Sequence, residues 1–327
     1  MSVPNRAVNP DLLTAGFARL AAAYFQRQGA AEMPAFKNTR QDACGVAYVL
    51  GHSDAELLRL TIQARLLEPI TRRYLQCAGI TPGMRVLDVG CGTGDVALLA
   101  AELVSNSGEV VGADRAASAV AVARERAKAR SVTNVSFLEG DPSELRFDRP
   151  FDAVVGRYVL MYQPDPAAFL RALATSLRPD GILVFHELDW GGVRSTPSSP
   201  TYDQCCRWVI EGLRCGDAEA YLGTRLYSVF VRAGLPPPVM RLEAIVGGAA
   251  DSSGSVRDLI DTIFPISLVS ALERSGVATA AEIDAATLPD RMYDEIARNG
   301  SVIVGRSEVR AWSRVGMGGL IRAGSPI

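Results

Sequence analysis

The chain has 327 residues, a formal net charge of −2 and 48% hydrophobic residues. This apolar content can build a large buried core, whereas a dedicated nucleic-acid binder would normally carry a basic excess. The six scattered cysteines and two histidines argue against a disulfide scaffold, and we predict no metal site. We also find neither an apolar run of the roughly 18 residues that span a membrane nor a signal peptide, so we expect a cytoplasmic protein.

The N-terminal part of the chain is predicted to be helical. Asn9-Pro10 is typical of a helix start, and apolar residues then recur at helical spacing. A second helix is predicted to follow, interrupted or restarted at Pro69 and ended by Gly79. We therefore assign residues 1–75 to an N-terminal helical arm or lid.

Strand and helix patterns alternate after this arm. The predicted strands are Arg85–Val89, Glu109–Asp114, Asn134–Gly140, Phe151–Arg157 and Ile182–Glu187, and the predicted helices are 95–104, 117–130 and Pro166–Leu177. Apolar strands that alternate with helices predict a parallel sheet covered on both faces.

The C-terminal part continues with helices and two more strands. After a Gly/Ser/Pro loop we predict, in chain order, helices near 202–215 and 222–234, a strand in PPPVMRLEAIVGG, helices at 255–275 and 279–298, and a strand in SVIVGRSEVRAWSRV. We assign 76–318 to one sheet domain with a helical insertion at 252–299, and 319–327 to a flexible tail.

The stretch VLDVGCGTGD, residues 86–95, places three glycines at alternate positions directly after a predicted strand. This spacing permits a tight turn whose backbone N–H groups face a ligand. The dinucleotide fingerprint needs G-x-G-x-x-G, but Asp95 occupies the position of its third glycine, where a carboxylate would repel a pyrophosphate. The loop therefore favours a ligand without phosphates, and a glycine turn without any ligand is the alternative.

Acids follow three successive predicted strands at one edge of the sheet. Asp114 ends the second strand, where a carboxylate can accept hydrogen bonds from both hydroxyls of a ribose. Asp141, just after the third strand, can accept from an exocyclic amino group such as that of adenine. Each acid alone would be typical of a turn or a helix cap, but together with Asp88 near the end of the first strand they indicate one ligand site.

The motifs VLDVGCGTGD, VVGAD, FLEGD and FDAVVGRYVLMYQPDP resemble the class I S-adenosylmethionine-dependent methyltransferases. The resemblance is closest to the small-molecule branch that includes ubiquinone and menaquinone methyltransferases. It implies an α/β fold with a doubly wound, seven-stranded Rossmann-like sheet of order 3-2-1-4-5-7-6, strand 7 being antiparallel. That family usually joins strands 6 and 7 by a short connection, so we predict that the insertion at 252–299 caps the acceptor site beside the N-terminal arm.

The resemblance implies S-adenosyl-L-methionine as the cofactor and assigns its contacts. Asp88 and the glycine loop would hold the methionine end, Asp114 the ribose and Asp141 the adenine amino group. The remaining candidates for cofactor binding are Gly90, Cys91, Gly92, Gly94, Arg115, Pro142, Arg157, Tyr48 and Gln63.

Candidates for catalysis come from the ends of strands 4 and 5, which face the methyl group in this family. They are Glu187, His186, Arg157 and Tyr162. A general base would help a hydroxyl, amine or carbon acceptor, whereas a carboxylate needs only alignment. Strand alternation places His186 and Glu187 on opposite sides of the sheet, and a packed structural histidine is the plain alternative.

Arg157 has three interpretations. Its guanidinium could bind the donor's carboxylate, bind an acidic acceptor, or form a salt bridge with Glu187 or Asp189. We favour the acceptor, because strand 4 leads towards the transferring methyl group.

The sequence therefore predicts a methyltransferase acting on a small organic acceptor, with O-methylation of a carboxylate-bearing compound favoured. C-methylation of a quinone-like or isoprenoid compound is the first alternative. A catalytically silent methyltransferase-fold binding partner and an NAD-dependent oxidoreductase are the others. We expect no nucleic-acid partner and no membrane span, and a homodimer is the alternative use of the apolar insertion.

Overall fold

The computed structural model of the chain describes residues 54–316, without the side chains of residues 54–58 and 60. Tyr48, the helix predicted after Asn9-Pro10 and the tail at 319–327 lie outside the described residues. Among the helices that are described, none has the length and apolar character needed to cross a membrane.

The described residues belong to two compact units. The sheet unit contains Leu67–Gly191, Ala218–Ala244 and the residues from Arg306 onward, and the helical unit contains the residues up to Leu66, Gly192–Asp217 and Ile245–Gly305. The domain boundaries predicted after residues 75 and 318 stay predictions.

The helices follow the predicted order with different ends. They are α1 (Asp54–Ala78), α2 (Asp95–Val104), α3 (Ala117–Ala129), a 3-10 turn (Leu160–Tyr162), α4 (Pro166–Ala174), α5 (Pro200–Cys215), α6 (Leu222–Arg232), α7 (Ser255–Ile263), α8 (Leu268–Arg274), α9 (Ala280–Ile283) and α10 (Leu288–Asn299).

Pro69 lies inside the single helix α1, so the predicted interruption at this residue was wrong. Proline removes one helical hydrogen bond, but it does not end a helix that packing holds in place. Leu67, Ile70 and Tyr74 are buried in one apolar cluster on both sides of Pro69. Their burial explains why the helix continues.

The strands form one mixed sheet. They are β1 (Arg85–Val89), β2 (Glu109–Asp114), β3 (Val135–Glu139), β4 (Phe151–Arg157), β5 (Leu177–Asp189), β6 (Arg194–Thr196), β7 (Val239–Gly247) and β8 (Val302–Arg314). Their order is β3-β2-β1-β4-β5-β8-β6, and β7 also pairs with β8. Strands β1 to β5 are parallel and β8 is antiparallel to β5. Because β7 and β8 are the predicted strands 6 and 7, the predicted α/β fold and order are confirmed.

Three local predictions were wrong for reasons of long-range pairing or turn chemistry. Helix α4 ends at Ala174, because the following residues pair with β4 and the turn RPDG continues β5. The loop predicted at 191–200 contains β6, which pairs with the start of β8. The insertion contains four short helices rather than two, since Pro265 follows α7 and Gly276, with φ +70°, follows α8.

The core of the sheet unit fixes the positions of the strand ends. Val86, Leu98, Val110, Phe137 and Val184 are buried in one cluster that joins the central strands to the covering helices. The carboxyl ends of parallel strands meet at one edge of a sheet, where ligands bind in open α/β folds. The side chains after β1, β2, β3, β4 and β5 therefore share that edge.

Candidate active site

The three glycines after β1 have different environments. All have positive φ, namely +61° at Gly90, +51° at Gly92 and +86° at Gly94. A Cβ at Gly90 would lie 2.7 Å from Val159, and one at Gly94 would lie 3.1 Å from Phe137, so both glycines are required by packing. A Cβ at Gly92 would meet nothing within 4 Å. Open space beside the loop is therefore found at Gly92.

The amides of this loop are used within the protein, so the expectation that they face a ligand was wrong for three of them. The amide of Cys91 donates to Ala113 O at 3.1 Å, and that of Gly94 donates to Cys91 O at 2.8 Å. The amide of Gly92 donates to Asp114 Oδ2 at 2.8 Å. These bonds fix the loop against β2 before any ligand arrives.

Asp88 in β1 is a buried acid with one unused oxygen. It is 1% exposed. Burial raises its pKa to about 8, against the opposing effect of the Arg157 charge. Its Oδ2 has no hydrogen-bond partner among the described residues. An unpaired buried polar atom costs about 1–3 kcal/mol, so a ligand that donates a hydrogen bond here would be favoured.

Asp114 ends β2 and accepts two backbone hydrogen bonds. The amide of Gly92 donates to Oδ2 and that of Ala116 to Oδ1, both at 2.8 Å. A carboxylate offers about four acceptor positions. Asp114 therefore keeps the capacity to accept from the hydroxyls of a ribose.

Asp141 combines a turn with an ion pair. Its Oδ1 accepts from the amide of Ser143 at 2.9 Å and from its hydroxyl at 2.7 Å, and its Oδ2 pairs with Arg115. Burial opposes ionisation, but these bonds outweigh it and lower the pKa of Asp141. The neighbouring Pro142 is buried. The predicted contacts of these residues with adenine stay predictions.

The carboxylate of Asp95 lies close to two arginines. Its Oδ1 lies 2.6 Å from Arg126 Nη2, and its Oδ2 lies 4.0 Å from Arg157 Nη2. These positive charges weaken the repulsion that a pyrophosphate would meet. Titration with S-adenosylhomocysteine and with NADH therefore decides whether this site prefers a methyl donor or a dinucleotide.

Arg157 ends β4 with its side chain 11% exposed. Its Nη1 donates to Thr71 Oγ1 at 3.2 Å. The salt bridge considered with Glu187 or Asp189 is not found among the residues that the structure describes, where its ion pair is with Asp95.

His186 and Glu187 lie on opposite sides of the sheet, as their alternation in β5 predicts. Glu187 is fully buried, and its Oε1 accepts from the amides of Val159 at 2.9 Å and Leu160 at 2.8 Å. Burial raises the pKa of Glu187 to about 8. His186 is also buried, with Nε2 2.9 Å from Glu308 Oε2. Both candidate bases therefore make contacts inside the protein.

A buried polar network around His186 was missed by sequence reasoning. The Glu308 carboxylate on β8 accepts a hydrogen bond from Tyr158 and lies 3.1 Å from Arg306 Nε. The hydroxyl of Thr71 lies 3.4 Å from His186 Nδ1. We name Thr71, Tyr158, His186, Arg306 and Glu308 the polar layer. The available signal was the alternation of charges in GRSEVRAW, within a strand that was otherwise apolar.

The roles predicted for the remaining candidates, Tyr162, Gln63 and Tyr48, stay predictions. Tyr162 is half-buried in the 3-10 turn. Gln63, in the helical unit, accepts a hydrogen bond from Arg59 at 2.8 Å. Tyr48 lies outside the described residues, so the cofactor contacts predicted for Tyr48 and Gln63 stay predictions. Within residues 54–316 no group of three or more His, Cys, Asp or Glu side chains could hold a metal ion.

Comparison with known proteins places this site in a family. Residues 80–234 match the model of a methyltransferase domain. The demethylmenaquinone methyltransferase of Staphylococcus aureus MRSA252 is 34% identical over 134 residues, which are 41% of this chain and 52% of that protein. The 2-phytyl-1,4-naphtoquinone methyltransferase of Synechococcus elongatus is 38% identical over 110 residues, which are 33% and 47% of the two chains. The chain thus spans about half the length of the curated relatives it matches.

A solved structure agrees with the fold. A Bacillus halodurans protein described as a candidate methyltransferase superposes with a TM-score of 0.51 and 18% identity, over 76% of this chain and 99% of that one. The matched segment contains the glycine loop and the three acids Asp88, Asp114 and Asp141. Residues 80–234 therefore match a methyltransferase domain, and the relatives named above support a class I S-adenosylmethionine-dependent methyltransferase.

Proposed function

We propose that this protein transfers a methyl group from S-adenosylmethionine to a small organic acceptor. The observation that carries the proposal is the open space at Gly92, which lies beside Asp114 and is accompanied by the unpaired Oδ2 of Asp88. A donor with an ammonium group and a ribose could use both acids. The family of residues 80–234 supports the same donor.

Each of the three acids would bind a different part of the donor. Asp88 would accept from the ammonium group of the methionine end, Asp114 from the ribose hydroxyls, and Asp141 would lie at the adenine. The bound donor supplies a methyl group already activated on a positive sulfonium. What the protein adds is alignment and exclusion of water, which together can lower a barrier by roughly 7–11 kcal/mol.

Arg157 is proposed to bind the carboxylate of the donor. It contacts Asp95, the first residue of α2, and its charge acts on Asp88 at the end of β1. Both acids flank the glycine loop, where the methionine end would lie. A guanidinium placed among acids can bind a further carboxylate in a bidentate way. This interpretation replaces the acceptor contact that we favoured from the sequence.

Assigning Arg157 to the donor changes which acceptor the site favours. O-methylation of a carboxylate-bearing compound stays a prediction, but it loses the support of an arginine directed at the acceptor. The curated relatives are named as methyltransferases of demethylmenaquinone and of a phytyl naphthoquinone. A quinone-like acceptor is therefore the second candidate. Incubation with a labelled donor and either a demethylmenaquinone analogue or a set of aromatic acids, read by mass spectrometry, separates the two.

The donor site is tested by titration of the protein with S-adenosylhomocysteine. We expect Asp114→Ala to weaken binding by about 1.5–3 kcal/mol, the value of hydrogen bonds to a charged group. Glu139→Ala is the matched control, because Glu139 also ends a strand of this edge but is exposed and was not assigned to the site. Equal affinity in the two variants would remove Asp114 from the ribose site.

The same titration separates the other functional classes. An oxidoreductase would bind NADH more tightly than S-adenosylhomocysteine, and a silent binding partner would bind neither. The cytoplasmic location, the homodimer and the cap over the acceptor stay predictions.

A further inference from the structure

The polar layer occupies a position where a sheet normally has apolar side chains. Arg306, Glu308 and Arg310 alternate along β8 and are 4%, 2% and 6% exposed. They face the part of α1 that belongs to the sheet unit, since the hydroxyl of Tyr74 donates to Glu308 O at 2.7 Å and Arg310 Nη1 donates to Arg73 O at 3.1 Å. Buried charges are expensive unless they are paired. Such a layer therefore calls for an explanation beyond stability.

Glu308 is the centre of the layer and is ionised. Arg306, His186 and Tyr158 all contact its carboxylate. Burial opposes ionisation, but the charge of Arg306 and the two other hydrogen bonds outweigh it, so that the pKa of Glu308 is lowered. An ionised carboxylate can only accept hydrogen bonds. Its neighbours must therefore donate to it.

This requirement sets the direction of a longer chain of hydrogen bonds. Burial lowers the pKa of His186, so the ring is neutral and has one N–H. That N–H must be at Nε2, which faces Glu308 at 2.9 Å, and Nδ1 then accepts from the hydroxyl of Thr71 at 3.4 Å. The Thr71 oxygen is left free to accept from Arg157 Nη1 at 3.2 Å. All four groups thus have compatible donor and acceptor roles.

We propose that Glu308 is a positioning residue for the donor, acting through His186 and Thr71 on Arg157. The negative charge on β8 fixes the His186 tautomer, the tautomer orients the Thr71 hydroxyl, and that hydroxyl holds one arm of the guanidinium. The other arm stays at the glycine loop near Asp95. The inference rests on the proposed binding of the donor carboxylate by Arg157, and it adds a residue 151 positions away in the sequence.

The test compares two ligands that differ in the carboxylate. S-adenosylhomocysteine carries the methionine end, whereas 5′-methylthioadenosine has the adenosine and the sulfur without it. In Glu308→Gln we expect the affinity for S-adenosylhomocysteine to fall about tenfold, because a charged hydrogen bond at Arg157 is misplaced. The affinity for methylthioadenosine should not change.

A matched control is another glutamate on a strand that also pairs with a residue of α1. Glu243 pairs with Arg73 of α1, outside the chain of bonds that reaches Arg157. Glu243→Gln should therefore bind both ligands as the unaltered protein does. If Glu308→Gln does not fold, Thr71→Val interrupts the same chain in its middle with a side chain of equal shape, and the same selective loss is expected.

The tautomer gives a readout that a purely structural role would not change. With two histidines in the chain, His52→Gln assigns the ring nitrogen signals of His186 in an NMR spectrum. We expect a neutral ring with the proton on Nε2, and a changed proton distribution in Glu308→Gln. A proton on Nδ1 in the unaltered protein would overturn the inference.

The ligand results separate this inference from the function on which it rests. Equal losses for both ligands, or no loss for either, would overturn the positioning role alone. If the unaltered protein binds neither ligand, the proposed function fails and this inference fails with it.

Discussion

The glycine loop and the polar layer lie in the same sheet unit, but the acids in these two regions differ in their partners and in their pKa values. Asp88, beside the loop, is buried with an unpaired oxygen, and its pKa is raised to about 8. Glu308, in the layer, has three side-chain partners and a lowered pKa. One oxygen of Asp88 therefore has no hydrogen-bond partner among the described residues, whereas both oxygens of Glu308 have side-chain partners. The two proposals account for this difference, because they place a ligand at the glycine loop and give Glu308 a role in orienting Arg157.

The variant with the largest expected effect places a side chain in the open space at Gly92. Gly92→Leu would place a side chain where the donor is proposed to lie, and we expect S-adenosylhomocysteine affinity to fall roughly 1,000-fold or more. Calorimetric titration measures this loss. Retained affinity would show that the ligand lies elsewhere.

The control for Gly92→Leu must share its backbone strain. Gly300 has φ +60°, and a Cβ there would also meet nothing within 4 Å. Gly300→Leu should lose a similar stability, about 1–2 kcal/mol for a left-handed residue, and should keep the donor affinity. A loss of affinity in this variant as well would assign the effect to strain.

The next test concerns the connection between the two regions. Tyr158 of the polar layer has φ +58°, and the two residues after it donate their amides to Glu187 Oε1. Glu187→Ala leaves both amides without an acceptor, so we expect the free energy of unfolding to fall by about 2–3 kcal/mol. Denaturant titration gives this value.

Glu187→Gln separates the hydrogen bonds from the charge. Its amide oxygen can accept from the same two N–H groups, so at pH 6 its stability should be within about 1 kcal/mol of the unaltered protein. Equal destabilisation by alanine and glutamine would mean that the amides of Val159 and Leu160 do not depend on this acceptor.

Sequence reasoning was most accurate where contacts are local. β1, α2, β2 and β4 have the predicted limits, because each apolar strand is followed directly by its own turn and helix. The same locality placed Asp88 and Asp114 at one sheet edge. It could not show that Gly94 serves packing, since Phe137 approaches from another strand.

The polar layer could not be predicted, for a physical reason. Thr71 and Glu308 are 115 and 122 residues from His186 in the sequence, and they meet only because α1 and β8 pack beside β5. Nothing in the local pattern around His186 distinguishes a general base from a residue held by a distant carboxylate. The alternating charges of β8 indicate a polar face but do not name its partners.

The smallest expected effect concerns how stability depends on pH, and it compares Asp88 directly with Glu308. A carboxyl group whose pKa is raised on folding stabilises the protein below its unfolded pKa, and this stability is lost as the pH rises through the folded value. For Asp88 that window runs from about 4 to about 8. A carboxyl group whose pKa is lowered, such as Glu308, stabilises above its unfolded pKa and loses this contribution as the pH falls. Between pH 6 and pH 7 we therefore expect the free energy of unfolding to fall, and Asp88→Asn to reduce that fall by about 1 kcal/mol.

Glu187, with its raised pKa, contributes in the same direction and keeps part of the slope in Asp88→Asn. Glu308→Gln should leave the alkaline slope unchanged and flatten the loss of stability below pH 5, because only the acid side depends on this carboxylate. Urea titrations of the unaltered protein and both variants across pH 4 to 9 measure the three curves. If both variants alter the same side of the curve, Asp88 and Glu308 have the same protonation behaviour. The acid at the glycine loop would then not differ from the acid in the polar layer.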